Sequence, residues 1–435
     1  MVKRLRLRYR VLIVFCIFFL ISNLAVFIFY NNLDFFIVVH DADRKSNGNT
    51  LITYATFPEM IEHKSRIETQ TRIEPNNQNN KIIEMDPKGN VVWEFARLAI
   101  PHEVLELPNS NLLVADTEND RVIQINYPDK DIVWSWEPAL INWTQVNSNW
   151  ELNHYYNSPL NNKGEVTYDW THINDVDFKN YGSWNACLIS LRNFDLIVEI
   201  NYTADFISPN NPNNIVWWYG EHDNYTMLSH QHNPDYLNNG NIIVADSGND
   251  RIIEVNYTSK KIDWIYQEHL MWPRDADELE NGNLLITDSD GGRVIELDRL
   301  TNKIVWSFSR GLIIPYEADM LANGNILISN EYHGQVIEVN RNKEIVWMAG
   351  LSYIKAFIFL NSISLLGISS LVLYYKYKII KNFNVLPRKR KIGNSVLLIL
   401  FSSFIVIGVI FLFFTGPVLA GILRLFYQTF GPGFF

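Results

Sequence analysis

The chain has 435 residues, of which 47% are hydrophobic and 14% aromatic, and this composition excludes an intrinsically disordered protein. All 47 acidic residues lie between positions 31 and 350, whereas five of the 37 basic residues precede that segment and nine follow it, which leaves a net charge of −24 there. A nucleic-acid partner is excluded, because such binding needs clustered Lys and Arg to neutralise phosphates.

The chain begins with a basic segment, residues 1–10, and an apolar run at 11–30 that is long enough to cross a bilayer as a helix. The positive-inside rule places the basic segment in the cytoplasm. A cleaved signal peptide is the alternative interpretation. Against it, the apolar run is longer than a secretory h-region, and no clear small-residue cleavage site follows.

Two further membrane helices are predicted at 354–375 and 395–415, separated by a basic cytoplasmic loop at 376–394. Three crossings leave residues 31–350 outside the cytoplasm. The apolar tail at 416–435 is then also outside, or alternatively lies along the membrane interface. The sequence therefore predicts a multi-pass protein of the cell membrane with an extracytoplasmic domain.

The outer domain carries signals that agree with this placement. Its only cysteine is Cys187, since Cys16 lies in the first predicted membrane helix, so no disulfide forms within the domain. Four Asn-x-Thr sequons predict N-glycans at Asn142, Asn201, Asn224 and Asn256.

A repeat of 42 residues organises the outer domain, because an Asn-Gly-Asn triplet recurs at 239–241, 281–283 and 323–325. Asn-Gly between apolar runs predicts a tight hairpin in which both central residues have positive φ. Each unit ends its last predicted strand with a tryptophan, which we interpret as packing between neighbouring sheets. With three more divergent units upstream, the repeat predicts an all-β, six-bladed β-propeller over residues 31–350.

A polar residue opens a short motif immediately before the first predicted strand of each unit: His40, His102, His172, His232, Arg274 and Tyr316. The first strand of a propeller blade is the innermost, so we expect these side chains to converge at one end of the central channel. Histidines beside arginines favour a site for a sulfate, phosphate or carboxylate group. A metal site on the histidines is the alternative, but no His-x-x-x-His spacing supports it, and we predict neither metal nor cofactor.

We expect a second layer of charged residues at the end of that first strand and in the turn that follows it. Asp246 and Arg251 share one spacing with two other pairs, and Arg192 lies near the same level in the third unit. An ion pair that closes each turn is the structural interpretation of any single pair. Binding of an anion in the channel is the functional one.

The motifs that carry a family resemblance are Trp170-Thr-His172-Ile-Asn174, Leu188-Ile-Ser190-Leu-Arg192, Ile215-Val-Trp217-Trp-Tyr219-Gly220 and Gln231-His232 ahead of Asn239-Gly240-Asn241. This ordered combination resembles the arylsulfotransferase family over residues 40–350. The resemblance implies an extracytoplasmic propeller that moves a sulfuryl group from an aryl sulfate donor to a phenolic acceptor without a nucleotide.

By position, His172 and His232 resemble the family's channel histidines that contact the sulfuryl group, and Arg251 resembles the arginine that binds its oxygens. The family's later nucleophilic histidine corresponds to Arg274 or Tyr316, which leaves His102 and His333 as candidate nucleophiles and Arg274 as a second oxyanion clamp. The missing nucleophile favours an alternative function, a non-catalytic cell-surface propeller that binds a glycan or a protein partner.

Overall fold

The computed structural model of the chain describes residues 38–55, 80–150, 169–221, 224–331 and 334–350. These residues belong to one compact unit, Phe35–Leu351. The three predicted membrane helices and the basic segments beside them lie outside the described residues, so they stay predictions. Within the described ranges, no helix has both the length and the apolarity needed to span a bilayer.

Twenty-four strands in the described ranges form six four-stranded antiparallel sheets, each a blade built from consecutive strands. Blades one to three contain β1 Val38–Arg44, β2 Thr50–Ala55, β3 Lys81–Met85, β4 Val91–Phe95, β5 Glu103–Glu106, β6 Leu112–Asp116, β7 Arg121–Asn126, β8 Asp131–Trp136, β9 Ile173–Asn180, β10 Asn185–Leu191, β11 Leu196–Asn201 and β12 Ile215–Gly220. Blades four to six contain β13 His232–Tyr236, β14 Ile242–Asp246, β15 Arg251–Val255, β16 Ile262–Tyr266, β17 Pro273–Glu278, β18 Leu284–Asp288, β19 Arg293–Asp298, β20 Lys303–Phe308, β21 Pro315–Met320, β22 Ile326–Asn330, β23 Gln335–Val339 and β24 Ile345–Ala349.

The first strands of the blades contact one another around a closed ring, in which β1 packs against both β5 and β21. Second strands such as β6 are buried along their whole length, whereas outer strands such as β4 are largely exposed. The six-bladed propeller predicted from the repeat is therefore confirmed. Two short helices, α1 Trp143–Val146 and α2 Tyr202–Ile207, lie in insertions after β8 and β11.

The Asn-Gly-Asn triplets form the turns between the first and second strands. In blade four Gly240 has a φ of 85°, whereas Asn239 is not among the residues with positive φ, so the prediction that both have positive φ is wrong. The reason is that the connection spans residues 237–241 and is longer than a two-residue hairpin loop. The side chain of Asn241 donates to Glu254 Oε1 on the third strand at 2.6 Å. This bond explains why the second asparagine recurs.

The repeated tryptophans join neighbouring blades. Trp347 Nε1 of blade six donates to Pro87 O of blade one at 3.3 Å, which helps to close the ring. Equivalent bonds run from Trp93 to Pro128, from Trp217 to Tyr257 and from Trp306 to Arg341. The interpretation of these residues as packing between sheets is confirmed.

Candidate active site

The six residues at the blade starts face one another at one end of the channel and form the blade-start ring, which consists of His40, His102, His172, His232, Arg274 and Tyr316. The imidazoles of His40 and His102 stack with centroids 4.0 Å apart, and His102 meets His172 edge-on at 5.0 Å. Tyr316 lies edge-on to His232 at 5.9 Å, and the Arg274 guanidinium stacks on its ring at 4.3 Å. None of the six is more than 6% exposed. The structure thus brings together all the residues that the repeat placed at the axis.

Bonds between blades fix the backbone that leads into the ring. Two residues before the ring histidine of blade four, His230 has a φ of 49° and donates its N–H to Asp195 of blade three at 2.7 Å. In the same way Trp272 donates to Asp250 at 2.7 Å ahead of blade five. Breaks in strand register follow in blades one, three, four, five and six. A bulge of this kind changes the direction in which a side chain points. Two consecutive residues of the strand can therefore both face the channel.

Hydrogen bonds define the tautomers of the ring histidines. Nδ1 of His40 and of His102 lies 3.1 and 3.0 Å from a backbone carbonyl oxygen, which can only accept. His232 Nδ1 lies 2.8 Å from the Ser247 hydroxyl, and that hydroxyl itself donates to a backbone carbonyl. Each Nδ1 therefore carries the proton, and each Nε2 keeps its lone pair.

The surroundings of these histidines keep them neutral. Burial, and then the positive charge of Arg274, lowers the pKa of His40 to about 3. The pKa of His102 is lowered well below 6.5 by burial and, to a smaller extent, by the charges of the neighbouring His40 and His172. The pKa of His232 is lowered in the same way by burial and then by the charges of Arg274 and Arg192. Neutral imidazoles with a free lone pair serve as nucleophiles or bases, not as acids.

His172 is held between two charged partners. Its Nδ1 donates to Asp169 Oδ1 at 2.8 Å, and its Nε2 accepts from Arg192 Nη1 at 3.0 Å. Arg192 is buried and is the first residue after β10. Arg192, which the sequence analysis placed near the second layer, therefore contacts the ring directly.

Glu331 is a site residue that the sequence analysis missed. It stands directly after β22, at the same position in blade six as Arg192 in blade three. Arg274 Nη1 donates to Glu331 Oε2 at 2.6 Å, and His40 Nε2 lies 3.9 Å from the other carboxylate oxygen. Burial raises the pKa of Glu331, and Arg274 opposes that rise. The sequence position that could have revealed it is the one directly after the second strand. In blades two to six this position carries Thr117, Arg192, Ser247, Ser289 and Glu331.

Arg251 is the first residue of β15, directly after the turn that follows β14. Its Nε donates to Asp246 at 2.6 Å, and its Nη2 donates to the backbone oxygens of Thr226 and Met227 at 2.9 and 3.2 Å. The pairs Asp116–Arg121 and Asp288–Arg293 repeat this contact. These ion pairs close the turns, as the structural interpretation of the second layer expects. Among the described arginines, Arg192 contacts His172 of the ring, and Arg274 is itself a ring residue that stacks on Tyr316. The candidate nucleophile His333 lies outside the described residues.

Beneath the ring, acidic residues on the first strands form two layers. The upper layer consists of Asp41, Glu103, Asp175, Asp275 and Glu317, with Asn233 in blade four. The lower layer consists of Asp43, Asp177, Asp235, Asp277 and Asp319, with Leu105 in blade two. Burial raises the pKa of Asp43 and Asp177 to about 6 and that of Asp275 to about 7. An anion is repelled from this stretch and is attracted instead to Arg274 in the ring and to Arg192 beside it.

Two groups in these layers have carboxylate oxygens within 4.8 Å of one another and so have the spacing of metal ligands. One group is Asp41, Glu103 and Glu317, and the other is Asp235, Asp275 and Asp277.

Comparison with known families supports the sequence resemblance. The arylsulfotransferase (ASST) family model matches residues 96–232 of this chain. The match contains blades two and three and ends at the ring histidine of blade four. The resemblance to this family is therefore confirmed over that span. No curated protein matches the sequence.

Solved structures of low sequence identity also match the chain. A streptogramin B lyase is 11% identical with a TM-score of 0.44 and covers 73% of this chain and 84% of its own. A protein of unknown function from Bacteroides caccae is 13% identical with a TM-score of 0.42, covering 62% and 90%. The WD40 β-propeller domain of Doa1 is 10% identical with a TM-score of 0.41, covering 66% and 74%. None of the three informs the chemistry of the ring.

Proposed function

We propose that the chain transfers a sulfuryl group from an aryl sulfate donor to a phenolic acceptor, as its similarity to the arylsulfotransferase family over residues 96–232 implies. The observation that carries the proposal is the blade-start ring, where neutral imidazoles lie beside the buried arginines Arg192 and Arg274. Sulfuryl transfer needs both a nucleophile and fixed positive donors for the non-bridging oxygens.

In the first half of the reaction, His102 is the nucleophile. Among the described residues no donor reaches its Nε2, and its proton is held on Nδ1 by a backbone carbonyl. The Nε2 lone pair forms a bond to sulfur while the ester S–O bond breaks, and the electron pair of that bond leaves on the phenolate oxygen. Arg192 and Arg274 stabilise the sulfuryl oxygens, and the phenolate takes a proton from solvent.

In the second half, the hydroxyl oxygen of the acceptor phenol attacks the sulfur bound to His102. His232 Nε2 takes the phenolic proton, the N–S bond breaks and its electron pair returns to His102. The Ser247 contact holds His232 in the required tautomer. His172 keeps Arg192 in place through its Nε2 and acts as part of the sulfuryl-binding group.

The test is turnover by the purified full-length protein. It should release a phenol from an aryl sulfate when a second phenol is supplied, with no nucleotide added. His232→Ala should lower the rate by more than about a hundredfold, the scale of losing a general base. His269→Ala changes an exposed histidine outside the ring and should leave the rate unchanged. An absence of turnover, or equal losses in both variants, would leave the non-catalytic surface module as the better hypothesis.

We infer that the predicted membrane helices at 11–30, 354–375 and 395–415 hold the propeller at the outer face of the membrane, where its four sequons are open to glycosylation. Protease added to intact cells should then cut the propeller and spare the basic loop at 388–391. A protected propeller and a cleaved loop would reverse this topology.

A further inference from the structure

Three carboxylates of blades four and five meet where the upper and lower layers adjoin. Asp235 belongs to the lower layer of blade four, and Asp275 and Asp277 belong to blade five. One oxygen of each lies within 4.8 Å of the other two. Calcium binds oxygens at about 2.3–2.6 Å, so two ligands on opposite sides of the ion are up to about 5 Å apart. The three oxygens already have the separations that one bound ion requires.

Asn233 adds an observation that does not depend on charge. Its side chain hydrogen-bonds to Asp275. The residue is 5% exposed, and its Oδ1 has no hydrogen-bond partner among the described residues. A buried carbonyl oxygen without a donor is costly, because it has lost its water without replacement. Amide oxygens are also common calcium ligands, so a cation beside Asp275 would satisfy this atom.

Two of the three carboxylates in this group lack donors among the described residues as well, whereas Asp275 Oδ2 accepts the Ala318 N–H at 3.0 Å. In the described part of the chain, no hydrogen bond reaches the side chain of Asp235 or Asp277, and burial and neighbouring acids raise the pKa of both. The other close group differs in that two of its carboxyl groups, those of Asp41 and Glu317, hydrogen-bond to each other. A proton shared between two carboxyl groups is enough to stabilise that pair.

We propose that Asp235, Asp275, Asp277 and the Oδ1 of Asn233 bind one divalent cation of the calcium class inside the channel. Four oxygen ligands without nitrogen or sulfur select a hard cation over a transition metal, and water completes its coordination. Asn233 directly follows the ring residue of blade four, and Asp275 directly follows that of blade five. The ion therefore fixes the backbone beneath two of the six ring residues, whatever reaction the ring performs.

The experiment is a calorimetric titration of the full-length protein with Ca²⁺ at neutral pH, after treatment with a chelator. One saturable site per chain is expected, together with a Ca²⁺-dependent rise in the thermal unfolding temperature. Asp277→Asn and Asn233→Ala should each weaken Ca²⁺ binding by about tenfold or more, because the first makes a charged ligand neutral and the second removes a ligand oxygen. Asp319→Asn is the matched control, since it removes the same charge from the same layer but no ligand, and it should retain most of the affinity.

Three results would overturn the proposal: no saturable Ca²⁺ binding, binding that neither ligand variant weakens, or an equal loss in Asp319→Asn. Asn233→Ala removes no charge, so it still tests the proposal if Asp277→Asn does not fold. Because the readout is binding and thermal stability, a failure here is distinguishable from a failure of sulfuryl transfer.

Discussion

Replacing Asp43 by asparagine removes one charge from the lower carboxylate layer at nearly constant volume. Burial, and then the charge of Glu106, raises the pKa of Asp43 from 3.8 to about 6. Between these values the folded protein holds more protons than the unfolded chain, so stability is lost as the pH rises through the window. At 1.36 kcal/mol for each pKa unit, the total loss is about 3 kcal/mol. Asparagine does not titrate, so Asp43→Asn avoids this loss.

The assay is chemical denaturation of wild type and variant, in the presence of a chelator, at about pH 4 and pH 7. At pH 4 this group is already more than half ionised in the unfolded chain, so the stability of Asp43→Asn relative to wild type should increase by about 2 kcal/mol between the two conditions. Asp131→Asn, at an exposed position that begins an outer strand, is the control and should show little change. An equal difference at both values of pH would refute the inference that Asp43 is charged in a low-dielectric channel.

Further predictions concern the ring and the turn. Glu331→Ala should destabilise the fold by about 3–5 kcal/mol in denaturant titrations, because it removes the carboxylate that balances the charge of the buried Arg274, and Glu331→Gln should cost less. The transfer rate should stay level as the pH falls through 6.5, because the lowered pKa keeps His102 neutral there; a loss centred near 6.5 would contradict this. Arg192→Ala should lower kcat about a hundredfold or more, the scale of losing one oxyanion donor. Arg251→Ala should lower thermal stability and leave kcat near that of wild type, and equal losses of kcat in the two arginine variants would contradict these assignments.

Much of the fold could be predicted from the sequence because a propeller repeats both its spacing and its contacts. The last asparagine of each 42-residue repeat donates to a glutamate of the third strand in blades four to six. The recurring tryptophans donate to a neighbouring blade in four of the described blades. The conformation of Asn239 could not be predicted in the same way. Its φ depends on the length of the loop around Gly240, which the dipeptide alone does not reveal.

The residues of the site could be predicted only where the repeat determines which way a side chain points. Residues such as His102 and Tyr316 share a strand position, so their convergence follows from the architecture. Arg251 and Arg192 both lie near the end of a second strand, and sequence spacing cannot show which of them faces the channel. The structure separates them, because Arg251 pairs within its own turn whereas Arg192 contacts His172.

The most direct test of the ring's chemistry is the position of a trapped sulfuryl group. The full-length protein is mixed with an aryl sulfate in the absence of acceptor, quenched without acid, and analysed by peptide mass spectrometry. The proposed mechanism predicts one sulfuryl group per chain on His102, lost when a phenol is added and absent from His102→Ala. Label on His333 or any other residue, or phenol release that persists in His102→Ala, would contradict it.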